Sequence, residues 1–343
     1  MKGRTVTGVG ESRPAVLITW PDFDSSFPAG RALLEDAGLE LRLAPRLGNR
    51  TSDELGALLP GVLAAIASTD PFTAEVIAGH PELQIIARVG VGYDSVDVDA
   101  ATRCGVLVAT TVGANETTVA DHTLALMLGA ARRIAEHDRN VKEGKWLRTG
   151  PHLSWLLTGA TVGLIGYGDI GRLVAERLKG FGTRILVSDP AFDGDSIAES
   201  VSLDELLIES DFVSLHVPLL PATRNLIGPR EVGLMKRTAV MINTSRGGIV
   251  SESALAAALR DGMLRYAGVD VFDAEPPGAS PLLELDKVVL TPHIGGVSDA
   301  SVAAMVERAV HSILDVVAGE VPKDVINPAA ADTWRVNREG DHV

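Results

Sequence analysis

The chain predicts an α/β fold with two parallel sheets, and three observations carry that expectation. Short runs of Val, Ile and Leu alternate with helical patterns from one end of the chain to the other. The runs are continuously apolar, as strands covered on both faces are, and the helical stretches between them supply the crossovers that parallel neighbours require. With 343 residues, 46% of them hydrophobic, the chain is long enough for roughly two cores.

In the first unit the predicted strands are Val16-Leu17-Ile18-Thr19, Leu39-Glu40-Leu41-Arg42-Leu43, Val62 to Ala67, Ile85 to Val89 and Val106-Leu107-Val108. Helices are expected over Ala29 to Ala37, Thr73 to Ala78 and Val96 to Arg103. An unbroken helix from about Thr118 to His137 and a polar segment, Lys142 to Gly159, separate this unit from a second alternation. There the strands are Thr161 to Ile165, Arg184 to Val187, Phe212 to Leu215, Ala239 to Ile242, Gly268-Val269 and Val288-Val289-Leu290. A last helix, Ser298 to Ala318, stops at Gly319 with Pro322 beyond, the usual punctuation of a helix end. The polar residues from Ala329 to Val343 read as a mobile tail.

Composition narrows the function classes. A formal charge of −14, with no clustered Lys/Arg run, repels phosphate backbones and anionic membranes, which leaves small molecules as the expected partner. The one cysteine, Cys104, closes no intramolecular disulfide and builds no Cys-based metal site, so a reducing cytoplasm and no metal are expected. Met1 to Arg13 lacks the apolar core of an export signal, and no run approaches the roughly 18 apolar residues of a membrane span.

Gly166-Tyr167-Gly168-Asp169-Ile170-Gly171 follows an apolar strand and opens a helix. In that context Gly166 permits a tight turn, Gly168 lets a pyrophosphate approach the backbone, Gly171 lets helix pack on strand, and the helix N-terminus faces the phosphates. Out of context such a loop merely joins two elements. Asp189, 18 residues beyond Gly171 and at the end of the next strand, suits the adenosine ribose hydroxyls and repels a 2′-phosphate. The expected cofactor is NAD rather than NADP, unless Asp189 is only a solvated loop residue.

Three further residues fall after strands of this second unit. Arg246, in Asn243-Thr244-Ser245-Arg246-Gly247-Gly248, has the planar fork that holds a carboxylate bidentately. Glu275 precedes Pro276-Pro277, and His293 sits in Thr291-Pro292-His293-Ile294-Gly295-Gly296. Hydride exchange between a 2-hydroxy acid and NAD needs a carboxylate anchor, a proton donor and a group that favours its charged form. Arg, His and Glu are the types that serve, since a carboxylate beside an imidazole favours the imidazolium. Taken singly, each is as readily a surface charge or a structural residue.

With these blocks in order, and with Arg88-Val89-Gly90-Val91-Gly92-Tyr93-Asp94-Ser95-Val96-Asp97 and the stretch from Gly113-Ala114-Asn115 to His122, the sequence resembles the D-isomer-specific 2-hydroxyacid dehydrogenases from about Val16 to Pro328. The resemblance implies a substrate domain from residues 1–112 and 296–330, an inserted NAD-binding Rossmann domain from 113–295, and a mobile 331–343. It implies that Arg246 binds the substrate carboxylate, that His293 is the acid/base with Glu275 as its partner, and that backbone N–H groups of Val89, Gly90 and Val91 assist at the carboxylate. Cofactor contacts fall on Asp169 and Ile170 at the pyrophosphate, Asp189 at the ribose, and Val217, Pro218 and Thr223 near the adenosine. Thr244, Ser245, Asp270, Gly295 and Val119 fall toward the nicotinamide. A homodimer, with the long helix from Thr118 as a contact, is also implied.

Departures from the family refine this. Asp70, in a loop where relatives acting on phosphorylated acids carry a cation, is expected to repel a phosphate. Val91 replaces the lysine of phosphite-oxidising relatives, Glu275 replaces the Gln of formate relatives, and Leu153-Ser154-Trp155-Leu156-Leu157 is unusual. No room for a regulatory domain is expected after Pro328. His216 and His122 read as structural histidines, and Cys104 as a small buried hydrophobe. The alternative from another class is a non-enzymatic NAD(H)-sensing, corepressor-like protein.

Overall fold

The structure, a computed structural model, describes residues 13–46 and 50–340. It separates into two units, Met1–Ala114 with Val302–Val343 and Asn115–Ser301. Each is a parallel sheet packed on both faces. Residues 1–12, which hold nearly all of the N-terminal stretch read for an export signal, lie outside the described residues.

In the first unit, β1 (Ala15–Ile18), β2 (Glu40–Leu43), β3 (Val62–Ala67), β4 (Ile85–Arg88) and β5 (Leu107–Ala109) lie in the order β2-β1-β3-β4-β5. Successive side chains go to opposite faces: Val16 and Ile18 join one core with Ile66, Ile85 and Leu107, whereas Ala15 and Leu17 join the other with Val62, Ile86 and Val108. Helix Val98–Cys104 begins where the Asp97 side chain accepts from Ala100 N–H at 2.8 Å, and ends at Gly105 with φ 72°. Helix Asp299–Ala318 buries Met305, Val306, Ala309, Val310, Ile313 and Val316, a stripe of helical spacing, in the first of these cores.

The second unit has β6 (Thr161–Ile165), β7 (Arg184–Ser188), β8 (Glu199–Ser200), β9 (Phe212–Leu215), β10 (Val240–Asn243), β11 (Tyr266–Val269) and β12 (Val288–Leu290), ordered β12-β11-β10-β9-β6-β7-β8. The chain moves from β6 to one side through β7 and to the other through β9, so the crevice beyond the C-terminal ends of β6 and β9 is the switch point where such sheets bind ligands.

Two expectations are corrected. The helix predicted from Thr118 to His137 is two helices, Glu116–Ala131 and Ile134–Lys142, because Arg133 takes φ 53° and turns the chain between them. Its side chain secures that turn through a pair to Glu136 at 2.6 Å, a long-chain contact that apolar periodicity does not register. The tail expected from Ala329 is helix Ala330–Gly340 instead, with Ala330, Ala331 and Trp334 buried and Trp334 Nε1 donating to Gln84 Oε1 at 3.2 Å. A few apolar residues on one helical face were enough to dock a segment that is polar on average. The short β8 and helices Phe23–Ser26 and Ser52–Gly56 also escape the apolar pattern.

Candidate functional site

Beyond β6 the chain turns at Gly166, with φ +95°, against the carbonyl of His216, where a Cβ would stand 2.5 Å from that oxygen. A side chain is excluded there by both conformation and space. Gly168 opens onto free space and precedes helix Asp169–Leu178, while a Cβ on Gly171 would strike the Gly166 carbonyl at 2.5 Å. No side chain caps this helix, and the N–H groups of Asp169, Ile170 and Gly171 have no acceptor among the described hydrogen bonds. An anionic group approaching past Gly168 meets those donors and the positive end of the helix dipole, so the residues present fit a dinucleotide pyrophosphate.

Asp189 follows β7 and is held from both sides: Oδ2 accepts from Tyr167 N–H and Oδ1 from Ala191 N–H, each at 2.8 Å. Its remaining lone pairs can accept ribose hydroxyls. Tyr167, to which the sequence reading assigns no role, is buried against Phe192 with ring centroids 4.3 Å apart, and its hydroxyl donates to Asp195 Oδ2 at 3.3 Å. Burial, and then the neighbouring Asp195 charge, push the phenol up to about 12. An aromatic residue inside a glycine loop was the available signal.

At the ends of β10, β11 and β12 lie the three residues expected to do chemistry. Asn243 closes β10 and shapes the loop beyond it: its Oδ1 accepts from Ser245 N–H at 3.1 Å and its Nδ2 donates to the Arg246 carbonyl at 3.0 Å. Ser245 Oγ donates to the Leu215 carbonyl at 2.6 Å, and Arg246 Nη1 donates to the Ser245 carbonyl at 2.6 Å, which orients a half-buried guanidinium. Thr244 Oγ1 is 2.9 Å from Thr123 Oγ1 on helix Glu116–Ala131, the helix that also carries the buried Val119.

His293 stands in a left-handed conformation, φ 53°, with its N–H on the Asp270 carbonyl at 2.8 Å. Nδ1 is 2.7 Å from Glu275 Oε2, and Glu275 Oε1 accepts from Phe272 N–H at 3.1 Å. With Nδ1–H given to the carboxylate, Nε2 is the ring nitrogen available to exchange a proton. Asp270 is 1% exposed and organises the loop: its oxygens accept from the Thr291 hydroxyl at 2.5 Å, Ile294 N–H at 2.9 Å and Gly295 N–H at 2.7 Å, and His122 Nε2 stands 3.4 Å away. Burial pushes this carboxyl up, but the bonds from His122, Thr291, Ile294 and Gly295 outweigh it and hold the group below the usual carboxylate range. The loops are linked, since Gly248 N–H donates to Asp273 Oδ1 at 2.7 Å. His293 and Glu275 therefore meet directly, and the Arg246 loop is fastened to the segment that bears Glu275.

Other predicted positions are placed less simply. Thr223 Oγ1 donates to the Pro218 carbonyl at 2.6 Å and accepts from Leu220 N–H at 2.8 Å, so its hydroxyl shapes the turn after Val217. In the five-stranded unit, Val89 N–H donates to Ala67 at 2.9 Å and Gly90 N–H to Thr111 Oγ1 at 3.1 Å, whereas Val91 N–H has no acceptor among the described hydrogen bonds. Asp70 is not a bare anion: buried, it pairs with Arg50 and accepts from the Thr19 hydroxyl, so the expected repulsion of a phosphate is corrected to an internally neutralised pair. Arg50 lies outside the named helices and strands, and the sequence around it carries no sign of that partner. His216 has Nε2 buried without a partner among the described residues, and burial lowers it to about 4. Cys104 is half-buried rather than enclosed. The roles of Asp270, His122 and Tyr167 as organisers went unread because each acts through a contact distant in sequence, and that of Asn243 because its partners are the backbone groups of its own loop.

A glycine loop that fits a pyrophosphate after β6 and a His–Glu pair after β11 and β12 stand on one parallel sheet of the nucleotide-binding type. Residues 124–295 match the family described as D-isomer specific 2-hydroxyacid dehydrogenase, NAD binding domain. A glyoxylate reductase from Korarchaeum cryptofilum is 44% identical over 76% of this chain and 80% of its own length. A D-3-phosphoglycerate dehydrogenase from Mycobacterium bovis is 40% identical over 92% of this chain, which spans 59% of that longer protein. The crystal structure of a Thermus thermophilus protein superposes with a TM-score of 0.83 at 37% identity, covering 91% of this chain and 99% of that one. The chain belongs to the D-isomer-specific 2-hydroxyacid dehydrogenase family. Among the described residues no helix is long and apolar enough to cross a membrane.

Proposed function

We propose that the protein reduces a small 2-keto acid to the D-2-hydroxy acid, and runs the reverse oxidation, with Arg246, His293 and Glu275 as its working residues. The observation that carries this reading is the 2.7 Å contact between His293 Nδ1 and Glu275 Oε2, which leaves Nε2 to give a proton to the forming alkoxide. NADH, when held by the nucleotide-site residues, would supply the hydride. Glu275 fixes the ring through that contact; Arg246 holds the substrate carboxylate and polarises the carbonyl beside it. The five-stranded unit is the substrate-binding domain, and the seven-stranded unit is the nucleotide domain. Asp169 and Ile170 serve the pyrophosphate, Asp189 the ribose, Val217, Pro218 and Thr223 the adenosine, and Val119, Thr244, Ser245, Asp270 and Gly295 the nicotinamide side.

Substrates with small uncharged side groups, glyoxylate and hydroxypyruvate first, are favoured, because Arg50 is committed to Asp70 and offers a phosphate no ready cation. NAD is favoured over NADP through the Asp189 carboxylate. A lone thiol suits a reducing cytoplasm. The working form is a homodimer: Ile134, Val141, Trp146, Leu147, Leu153 and Leu156 form an exposed apolar segment in the seven-stranded unit, with Trp146 76% exposed. NADH oxidation with glyoxylate, hydroxypyruvate, pyruvate and a phosphorylated keto acid tests the assignment. Turnover of the small acids supports it, and tight NADH binding without turnover of any acid contradicts it. Light scattering that finds only a 36.0 kDa species contradicts the dimer.

A further inference from the structure

Tyr167 joins the two loops of the nucleotide site. Its N–H holds Asp189 Oδ2 at 2.8 Å, and its ring lies on Phe192 at 4.3 Å. Phe192 belongs to the loop that follows Asp189, and the Tyr167 hydroxyl reaches further along that loop to Asp195 at 3.3 Å. Asp195 in turn is fixed by Ile197 N–H at 2.7 Å and Ala198 N–H at 2.9 Å. Both rings are nearly enclosed, Tyr167 at 3% and Phe192 at 7% exposure, so the position of Asp189 rests on a packed aromatic joint.

Arg172, on the first turns of helix Asp169–Leu178, brings a positive charge to this joint. Its guanidinium carbon lies 4.6 Å over the Tyr167 ring and 6.0 Å from the Phe192 ring. A cation on an aromatic face is held by the ring quadrupole, here with Asp195 alongside. The residue is otherwise exposed. The end of the site that receives the adenosine ribose thus presents Asp189 while a nearby cation is kept on the ring.

We infer that the Tyr167 ring sets the dinucleotide preference by seating Arg172 on its face, away from a 2′-phosphate, beside an Asp189 carboxylate that the backbone N–H of the same residue holds. The inference rests on residues 166–189 being the nucleotide site. Tyr167 is a positioning residue here. It acts on the ribose end through Asp189 and Arg172.

The test is the dissociation constants of NADH and NADPH, read by fluorescence and independent of turnover. Removing the ring in Tyr167→Leu keeps the backbone N–H on Asp189 but releases Arg172, so the NADPH-to-NADH ratio of dissociation constants falls by about tenfold, the scale of one charge-assisted contact. Tyr167→Phe keeps the ring and retains the ratio to within about threefold, since a single long hydrogen bond is lost. Adding Arg172→Gln to Tyr167→Leu restores NADH preference. Should Tyr167→Leu fail to fold, Arg172→Gln alone decides: an unchanged ratio supports the seat on the ring, and weakened NADPH binding shows that Arg172 already serves the 2′-phosphate and overturns the inference. An unchanged ratio in a folded Tyr167→Leu also overturns it. Wild-type protein that binds neither dinucleotide refutes the nucleotide site itself, a different result.

Discussion

His293 Nδ1 and Glu275 Oε2 lie 2.7 Å apart although the residues are fed by different loops, one after β12 and one after β11. The side chains are 39% and 30% exposed, so the pair is neither sealed in the core nor loose in solvent. That is a setting in which a proton can enter and leave.

Glu275→Gln keeps an acceptor for His293 Nδ1 in outline and removes the carboxylate charge from the pair. The kcat/KM for keto-acid reduction should fall by about tenfold or more, with NADH affinity near that of the wild type. Steady-state kinetics with a small keto acid, beside NADH binding, measure this. Unaltered kinetics in the variant would separate Glu275 from the proton transfer.

Arg246 is held by its own loop: its Nη1 donates to the Ser245 carbonyl, and its own carbonyl accepts from Asn243 Nδ2. Lysine keeps the charge and loses the bidentate geometry, so Arg246→Lys should raise KM for the keto acid and lower kcat, together about 10²-fold in kcat/KM. NADH affinity should stay near that of the wild type. Unaltered keto-acid kinetics in the variant argue against a carboxylate anchor at this position.

His216 gives the fold an acid limit. Burial holds its ring neutral down to about 4, whereas in the unfolded chain it titrates near its ordinary value of 6.5. The unfolded state therefore binds the extra proton first, and stability present above about pH 6.5 is lost as pH falls toward 4, by at most about 3 kcal/mol. Urea unfolding at pH 7 and pH 4.5 should show a smaller drop in His216→Leu than in the wild type. Equal drops would assign the acid sensitivity to other groups.

Trp334 anchors the C-terminal helix with an indole that is 1% exposed. Trp334→Ala should cost about 3–5 kcal/mol and release the helix, visible as early proteolysis after residue 329 and a lowered Tm. A variant as stable as the wild type would return this segment to the status of a tail.

Separation along the chain decided which features the sequence disclosed. Strands such as Val62–Ala67 and Phe212–Leu215 were legible because burial on both faces forces a contiguous apolar run. Gly166, Gly168 and Gly171 were legible because backbone conformation and close approach are fixed locally. His293, Glu275 and Arg246 stood out by type and by position after strands. Hidden were the contacts made by side chains far apart in the chain: Arg50 with Asp70, His122 with Asp270, Tyr167 with Asp195. Likewise the break at Arg133 and the docking of Trp334 depend on single side chains within stretches whose average character says otherwise.

The central claim is that His293 exchanges the proton that accompanies hydride transfer. It is tested most directly by His293→Ala, with single-turnover NADH oxidation and NADH binding measured on the same preparation. The account predicts a chemical step slowed by about 10²–10⁴-fold with the NADH dissociation constant unchanged. A variant that turns over keto acid at the wild-type rate would contradict it.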